Sequence, residues 1–261
     1  MSDSVDTLDL AVLTENENVS PEEFVQLRKD AHCSIEAHTQ VKDVLSNFND
    51  VSKALPTENK VQIRRGIGLW VIGKLEEAIE TLESVRTTPD SAYFLGVAYM
   101  EIGRFDEAIS QFESVLESDS KFALAKLGLL EAKIKAGSIE DAFKLAEKMG
   151  KAFADSTDYH CLRGMLLELK GLGSEAMEAH EMVVQKEPGH PGSTFRIASI
   201  LDRKGEDIRA MELYEQLRKL RPTHINTALN LGTLYEDRGD FEKAVECYQA
   251  VLDFFPTHPR A

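Results

Sequence analysis

Apolar residues recur along most of the chain with the 3.6-residue period of amphipathic helices. In residues 91–102 they mark one face of a helix, and Gly103 follows directly. A second amphipathic stretch, residues 107–116, begins a few positions later. Glycine adopts at no steric cost the left-handed conformation that ends many helices. The pattern therefore predicts two antiparallel helices joined by a short turn at Gly103.

This helix-pair pattern returns with a period of 34 residues. A glycine stands five residues before each alanine of a regular series, which comprises Ala108, Ala142, Ala176, Ala210 and Ala244. An earlier unit carries the same glycine-to-alanine spacing at Gly73 and Ala78. A single helix pair cannot bury its apolar faces alone, so neighbouring pairs must stack into a continuous core. The sequence predicts an all-α solenoid.

Residues at fixed points of the unit resemble those of the tetratricopeptide repeat family. In the last unit these residues are Leu231, Gly232, Tyr235, Ala244, Tyr248 and Pro256. The third unit departs from the pattern, because Leu130 replaces the glycine and Lys133 replaces the tyrosine. The resemblance covers about residues 58–261 and implies a right-handed superhelical solenoid of about six helix pairs. The expected pairs are approximately 59–88, 89–122, 123–156, 157–190, 191–224 and 225–258.

Four glycines fall in the middle of predicted helices, where glycine costs about 1 kcal/mol relative to alanine. They are Gly66, Gly96, Gly164 and Gly232. A close approach by a neighbouring helix would explain this cost. We expect that approach at the alanines of the paired helix, which are Ala78, Ala108, Ala176 and Ala244.

Residues 1–57 lie outside the repeat pattern. Residues 1–19 contain aspartate and glutamate but no lysine or arginine, which predicts a mobile acidic tail. Ser20 and Glu23 then have the spacing of a capping box, with Pro21 at the first helical position. An apolar face continues beyond them. We expect residues 20–57 to form a long N-terminal helical cap over the first repeat.

Composition and charge exclude several classes of function. The formal net charge is −15, which argues against direct binding to nucleic acid or to an anionic membrane surface. Three scattered cysteines are typical of a reducing compartment. The start lacks the pattern of a signal peptide, and no apolar run reaches the roughly 20 residues that span a bilayer. We expect a cytoplasmic protein.

Histidines and one glycine-rich segment are the candidates for chemistry. Residues 66–74 have glycine and lysine near the spacing of a phosphate loop, but Leu75 stands where magnesium binding needs serine or threonine. A nucleotide-binding enzyme is therefore only an alternative. His160 and His180 occupy facing positions of one helix pair, and we expect them to form a buried hydrogen-bonded pair. We expect no catalytic site, no metal and no cofactor.

The resemblance places partner binding in a concave groove lined by the first helix of each pair. The groove residues carried over by position are Ile63, Ile67, Trp70, Tyr93, Val97, Met100, Leu127, Ile134, Glu168, Phe195, Asp202 and Glu236. One half is apolar and the outer row of the other is acidic, which fits a peptide or helix with apolar anchors and a basic end. The alternative is that these residues pack between neighbouring helices and that the N-terminal helix covers Trp70.

Two expectations concern context. The acidic start, the Ser-Pro-Glu-Glu helix and the repeats resemble bacterial repeat proteins that carry a domain similar to the C-terminal domain of the RNA polymerase α chain, which is absent here. A transcription-associated protein is therefore a second alternative to a non-enzymatic protein-binding scaffold. In the last helix we expect Val251, Leu252, Phe254 and Phe255 to be uncovered. Self-association or further repeats would cover such a cluster.

Overall fold

The computed structural model describes residues 20–31, 59–85 and 87–255, together with residues 257 and 259. Thirteen helices and no strand lie within these residues, which confirms the expected all-α fold. The helices are α1 Pro21–Ala31, α2 Asn59–Val71, α3 Leu75–Glu83, α4 Pro89–Glu101, α5 Phe105–Ser118, α6 Ala123–Lys135, α7 Ile139–Met149, α8 Thr157–Leu169, α9 Gly173–Lys186, α10 Pro191–Arg203, α11 Asp207–Leu220, α12 Ile225–Asp237 and α13 Phe241–Phe254. The expected acidic tail, residues 1–19, and most of the expected cap lie outside the described residues.

The chain divides into two compact units. Unit 1 is Met1–Ser138 and unit 2 is Ile139–Ala261. Within unit 1, α2 packs on α3, α4 packs on α5 and α6 packs on α5. Within unit 2, the pairs α8–α9, α10–α11 and α12–α13 follow α7. The boundary falls inside the third expected repeat, which is the one that departs most from the sequence pattern.

The predicted glycine turns are confirmed. Glycine has a positive φ at the turn that follows each of α2, α4, α6, α8, α10 and α12, with φ of +81° at Gly103 and +77° at Gly137. The N–H of the residue after the glycine donates to a carbonyl in the last turn of the helix, as from Arg104 to Tyr99 at 2.9 Å. The same bond links Ser138 to Lys133 at 2.9 Å, so the third turn keeps this geometry. These turns end the helices by the mechanism that the sequence indicated.

The nearest neighbours of the mid-helix glycines are large side chains of the paired helix. A β-carbon on Gly96 would lie 2.8 Å from Cε1 of Phe112, and one on Gly66 would lie 2.6 Å from Cγ of Leu82. Gly164 meets His180 and Gly232 meets Tyr248 in the same way. The expected contact with the alanine backbone is present at Gly66, where the added β-carbon would lie 3.5 Å from the carbonyl oxygen of Ala78, but the nearest atoms belong to the larger residue one turn further along. The close approach itself is confirmed.

The third repeat departs from the pattern at two positions. Its mid-helix glycine, Gly128, approaches the preceding pair and not its own, since a β-carbon there would lie 2.7 Å from Cζ of Phe112. In the second and last repeats, Tyr99 and Tyr235 donate a hydrogen bond to a glutamate of the preceding second helix. Lys133 stands at the tyrosine position and its Nζ lies 3.1 Å from Oε1 of Glu113, the equivalent glutamate. A cation therefore replaces the phenol on the same acidic partner.

Helix starts in the array are fixed by side chains that accept backbone hydrogen bonds. Thr88 forms a capping box with Ser91 before α4, and Ser156 accepts from the N–H of Tyr159 before α8. His190 and His224 cap α10 and α12, each with Nδ1 accepting from an N–H in the first turn. The rings of both histidines are therefore helix caps.

The last helix, α13, exposes different residues from those expected. Val251 is buried in a cluster with Ala228 and Leu229, so the expectation that it is uncovered was wrong. Phe255 is half exposed, and the side chain of Phe254 lies outside the described residues. The exposed apolar side chains at the start of α13 are Phe241 and Val245. Self-association through this helix stays a prediction.

Candidate functional site

The surface formed by the first helices of the pairs is here called the A-helix face. In unit 1 it is formed by α2, α4 and α6, and in unit 2 by α8, α10 and α12. All twelve residues expected to line the groove lie on these helices. In unit 1 most of them are buried, namely Ile63, Ile67, Trp70, Tyr93, Met100 and Ile134, while Val97 and Leu127 are half-buried. Most of the predicted lining in unit 1 is therefore inaccessible to a partner while α1 is in place.

Part of this burial arises between neighbouring helices. The ring of Tyr93 lies 6.0 Å from that of Phe112 on α5 and 5.5 Å from that of Phe122 just before α6, measured between centroids. Its exposed fraction is 6%. Tyr93 thus packs inside the array, as in the alternative that the sequence left open. It does not offer a free anchor site for a partner.

Helix α1 covers another part of the face in unit 1. Its start is fixed by the predicted capping box, since Ser20 N–H donates to Glu23 at 2.7 Å and Glu23 N–H donates to Ser20 at 3.3 Å. Phe24 and Leu27 are both buried. The ring of Phe24 meets the ring of Phe94 edge-on, with 5.7 Å between centroids. Phe94 in turn lies 5.2 Å from Trp70, so an aromatic cluster joins α1 to α4 and α2.

Arg28 of α1 lies in a site formed by one ring and one carboxylate. The guanidinium carbon is 4.5 Å from the centroid of the Trp70 ring, and Nη2 is 2.5 Å from Oε2 of Glu101. The other oxygen of Glu101 accepts a hydrogen bond from the Trp70 indole N–H at 2.8 Å. Burial lowers the pKa of Arg28, while Glu101 acts to raise it. Cation–π attraction and an ion pair therefore hold the same guanidinium.

In unit 2, Glu168 is the centre of a polar network on the A-helix face. It accepts from Nε2 of His180 at 3.2 Å, from Arg196 at 3.2 Å and from Arg203 at 3.3 Å. Its side chain is 11% exposed. Burial alone would raise the pKa of Glu168, but His180 and the two arginines lower it below its ordinary value. This carboxylate is already neutralised by the protein's own cations.

The expected hydrogen bond between His160 and His180 is absent. Nε2 of His160 lies 2.9 Å from the carbonyl oxygen of Ala154, whereas Nε2 of His180 lies beside Glu168. Both imidazoles are buried as expected. The expectation was wrong because Nε2 of each ring pairs with an oxygen, the Ala154 carbonyl for His160 and the Glu168 carboxylate for His180. The network with Glu168 was missed, since its arginines belong to the next repeat.

The rest of the predicted lining in unit 2 is more accessible. Phe195 is half-buried, with its ring 5.1 Å from the His224 ring. Asp202 is half-buried, and burial followed by the charges of Asp207 and Asp237 raises its pKa. Glu236 is exposed and accepts from the Tyr248 hydroxyl at 3.0 Å. Acidic charge that lacks a full counterion is therefore present around Asp202.

Comparison with solved structures gives the same fold. A crystal structure of MamA is 22% identical, with a TM-score of 0.53, over 61% of this chain and 93% of that chain. TTC0263, a thermophilic TPR protein of Thermus thermophilus, is 19% identical, with a TM-score of 0.55, over 65% of this chain and 93% of that chain. The APC/C hetero-tetramer Cut9–Hcn1 matches 94% of this chain and 48% of its own chain, at 16% identity and a TM-score of 0.77. No curated protein sequence matches this chain.

Family models decide the assignment. One tetratricopeptide repeat model matches residues 99–166, and a second matches residues 226–258. The chain contains tetratricopeptide repeats. The repeats serve as scaffolds for interactions between proteins, and the resemblance found in the sequence is thereby confirmed. The first match includes the third repeat, where the sequence pattern is weakest.

The tetratricopeptide fold leaves the nucleotide-binding alternative without support. Residues 66–71 lie inside α2 and Gly73 forms the turn after it, whereas a phosphate loop follows a strand. No group of three or more potential metal ligands occurs within the described part of the chain. Among the helices that the structure describes, none is long and apolar enough to cross a bilayer.

Sequence reasoning missed three residues of the site on unit 1. Phe94, Glu101 and Arg28 were not among the predicted lining, although Trp70 was. Glu101 ends α4 at an exposed position, which is an ordinary place for a glutamate. One signal for these residues was the expected N-terminal helix, because its apolar face and its arginine require a surface to pack on.

Proposed function

We propose that this scaffold binds an amphipathic helix of a partner protein on the A-helix face of unit 1. The observation that carries the proposal is the position of α1, which already lies on this face. Its contacts show which chemistry the face accepts. A helix that presents an apolar stripe to such a face is a common mode of peptide recognition.

The contacts of α1 define the chemistry of the proposed partner. In the partner helix, an aromatic side chain would replace Phe24 and a leucine three positions later would replace Leu27. An arginine would follow directly at the place of Arg28. This pattern matches the expected partner with apolar anchors and a basic end. The net charge of −15 also favours approach by a basic segment.

For unit 2 we propose a weaker and more electrostatic contact. Phe195 is the accessible apolar side chain there, and Asp202 and Glu236 are the acidic groups that attract lysine or arginine. Glu168 contributes little to this attraction, because Arg196 and Arg203 already neutralise it. Charges near the surface mainly increase the association rate, and salt screens them.

The site on unit 1 is tested with a synthetic peptide of residues 20–31. The protein carries Phe24→Ala with Leu27→Ala, so that its own α1 releases the site. We expect the peptide to bind this variant, and we expect a matched peptide with Arg28→Ala to bind at least tenfold more weakly. Isothermal titration calorimetry measures both affinities.

A control in the protein separates the site from unspecific binding. Glu101→Gln is added to the variant with Phe24→Ala and Leu27→Ala. It keeps the side-chain shape but removes the charge, so the difference in affinity between the two peptides should shrink. Circular dichroism checks that each variant keeps its helices. If the peptide of residues 20–31 does not bind the variant with a released α1, the proposed function is wrong.

A further inference from the structure

We infer that α1 is an intramolecular competitor for the helix-binding site of unit 1, and that a partner helix binds only by displacing it. This inference rests on the proposed function, because it concerns the regulation of the same site. The site consists of Trp70, Phe94 and Glu101. In the structure Phe24, Leu27 and Arg28 occupy it.

The site for Arg28 is formed by residues outside α1. Trp70 and Glu101 belong to α2 and α4, and the indole N–H holds one oxygen of the carboxylate at 2.8 Å. This bond orients the ring and the second oxygen so that a guanidinium meets both. A planar guanidinium can stack on the ring and donate to the carboxylate at the same time, whereas a lysine ammonium is a point charge. The site therefore selects an arginine from any helix that reaches it.

Arg28 fills this site imperfectly. Its Nη1 is buried and makes no hydrogen bond among the described residues, although Nη2 is paired with Glu101. A buried donor without an acceptor weakens an interaction compared with a fully paired one. A partner helix whose own arginine finds an acceptor for the nitrogen at this place would bind more favourably than α1.

The first turns of α1 bury two apolar side chains, Phe24 and Leu27, whereas Glu22 and Glu23 are exposed. Asp90 at the start of α4 has a raised pKa, caused first by burial and then by the like charge of Glu22. A helix of 11 residues is marginal in isolation, so α1 depends on these contacts for its own order.

Covalent connection keeps α1 near the site. Residues 32–58 connect α1 to α2, so binding of α1 is intramolecular and does not depend on protein concentration. The effective concentration of a tethered segment is set by its tether. A free helix must compete against that concentration. Displacement therefore requires a partner with better contacts than α1, which makes the site selective.

The experiment compares the affinity of one probe for two forms of the full chain. The probe is a fluorescein-labelled peptide of residues 20–31, and the forms are the wild type and Phe24→Ala with Leu27→Ala. We expect the Kd measured by fluorescence anisotropy to be at least tenfold higher for the wild type than for the variant. Arg28→Ala in the protein leaves both apolar anchors in place and should give an intermediate Kd.

A second readout follows the site itself. Trp70 is the only tryptophan of the sequence and is 3% exposed. Its quenching by acrylamide should increase when α1 is released and decrease again when the unlabelled peptide binds. Equal probe affinity for wild type and released variant would overturn the inference while leaving the proposed function intact. Absence of binding to the released variant would overturn the proposed function.

Discussion

The imidazole of His180 lies directly above the α-carbon of Gly164. A β-carbon on this glycine would be 2.5 Å from Nε2 of the ring, closer than real β-carbons come to other atoms. The ring cannot move away freely, because the same Nε2 lies 3.2 Å from the carboxylate of Glu168. The glycine therefore sets the spacing of α8 and α9.

We expect Gly164→Ala to destabilise the protein by about 1–3 kcal/mol through overpacking. The matched control is Gly173→Ala at the start of α9, where no atom lies within 4 Å of the added β-carbon. Gly189 would not serve as a control, since its φ of +82° makes any substitution strained. Urea unfolding gives both free energies. Equal shifts of the two midpoints would refute the packing explanation.

We expect the histidine cap of α12 to make stability dependent on pH. Nδ1 of His224 accepts from the N–H of Thr227 at 3.3 Å, which requires an unprotonated nitrogen. Burial lowers the pKa of His224 from its usual 6.5. The unfolded chain then binds more protons than the folded one. The contribution of this cap is complete above about pH 6.5 and is lost as the pH falls through the lowered folded pKa.

Thermal melting between about pH 7.5 and pH 5.5 measures this contribution. His224→Asn keeps a capping side chain that does not titrate. The melting temperature of the wild type should therefore decrease more steeply over this range than that of the variant. The other histidines are common to both proteins and cancel in the comparison. Parallel curves would show that His224 does not act as a titrating cap.

We expect Glu168→Gln to destabilise the protein by about 1–3 kcal/mol at neutral pH, because a buried charge-assisted network loses its carboxylate. Burial acts to raise the pKa of Glu168, but His180, Arg196 and Arg203 lower it below 4.5 overall. Its stabilising contribution is therefore present above about pH 4.5 and is lost as the pH falls through the lowered folded pKa. The difference between wild type and variant should shrink in acid. Denaturant unfolding at pH 7 and near pH 3.5 tests this, and a constant difference would contradict it.

We expect Tyr93→Ala to destabilise unit 1 by about 3 kcal/mol, since Tyr93 is buried among the rings of α4 and the segment before α6. The sequence alone left open whether Tyr93 lines a groove or packs between neighbouring helices. Val97→Ala on the same helix is the control, because Val97 is smaller and half-buried. Thermal melting distinguishes the two variants. A melting temperature unchanged by Tyr93→Ala would instead support the interpretation that Tyr93 lines an open groove.

Much of the fold could be predicted because its signals are local. A helix end needs a glycine with positive φ within a few residues, and a helix start needs an acceptor three residues before an N–H, as for Thr88 and Ser91. Apolar spacing selects the helix and its buried face. The period of 34 residues then fixes the order of the helices without any knowledge of their contacts.

The candidate site could be predicted only in part. Trp70 was identified because repeat position places it on the A-helix face. Its partners could not be identified, since Glu101 is distant in sequence and Arg28 belongs to a segment without a repeat. Likewise, position predicted Glu168 as a free acidic group, whereas arginines from the next repeat neutralise it.

The sequence by itself determined the helices, their turns and the repeat, because backbone geometry and local hydrogen bonds act over a few residues. Tertiary structure alone decided which side chain fills the space above each glycine, that Lys133 replaces a tyrosine on Glu113, and that α1 covers Trp70. These choices depend on side chains from different helices that compete for the same space or the same charge. Such competition is settled only when the helices pack.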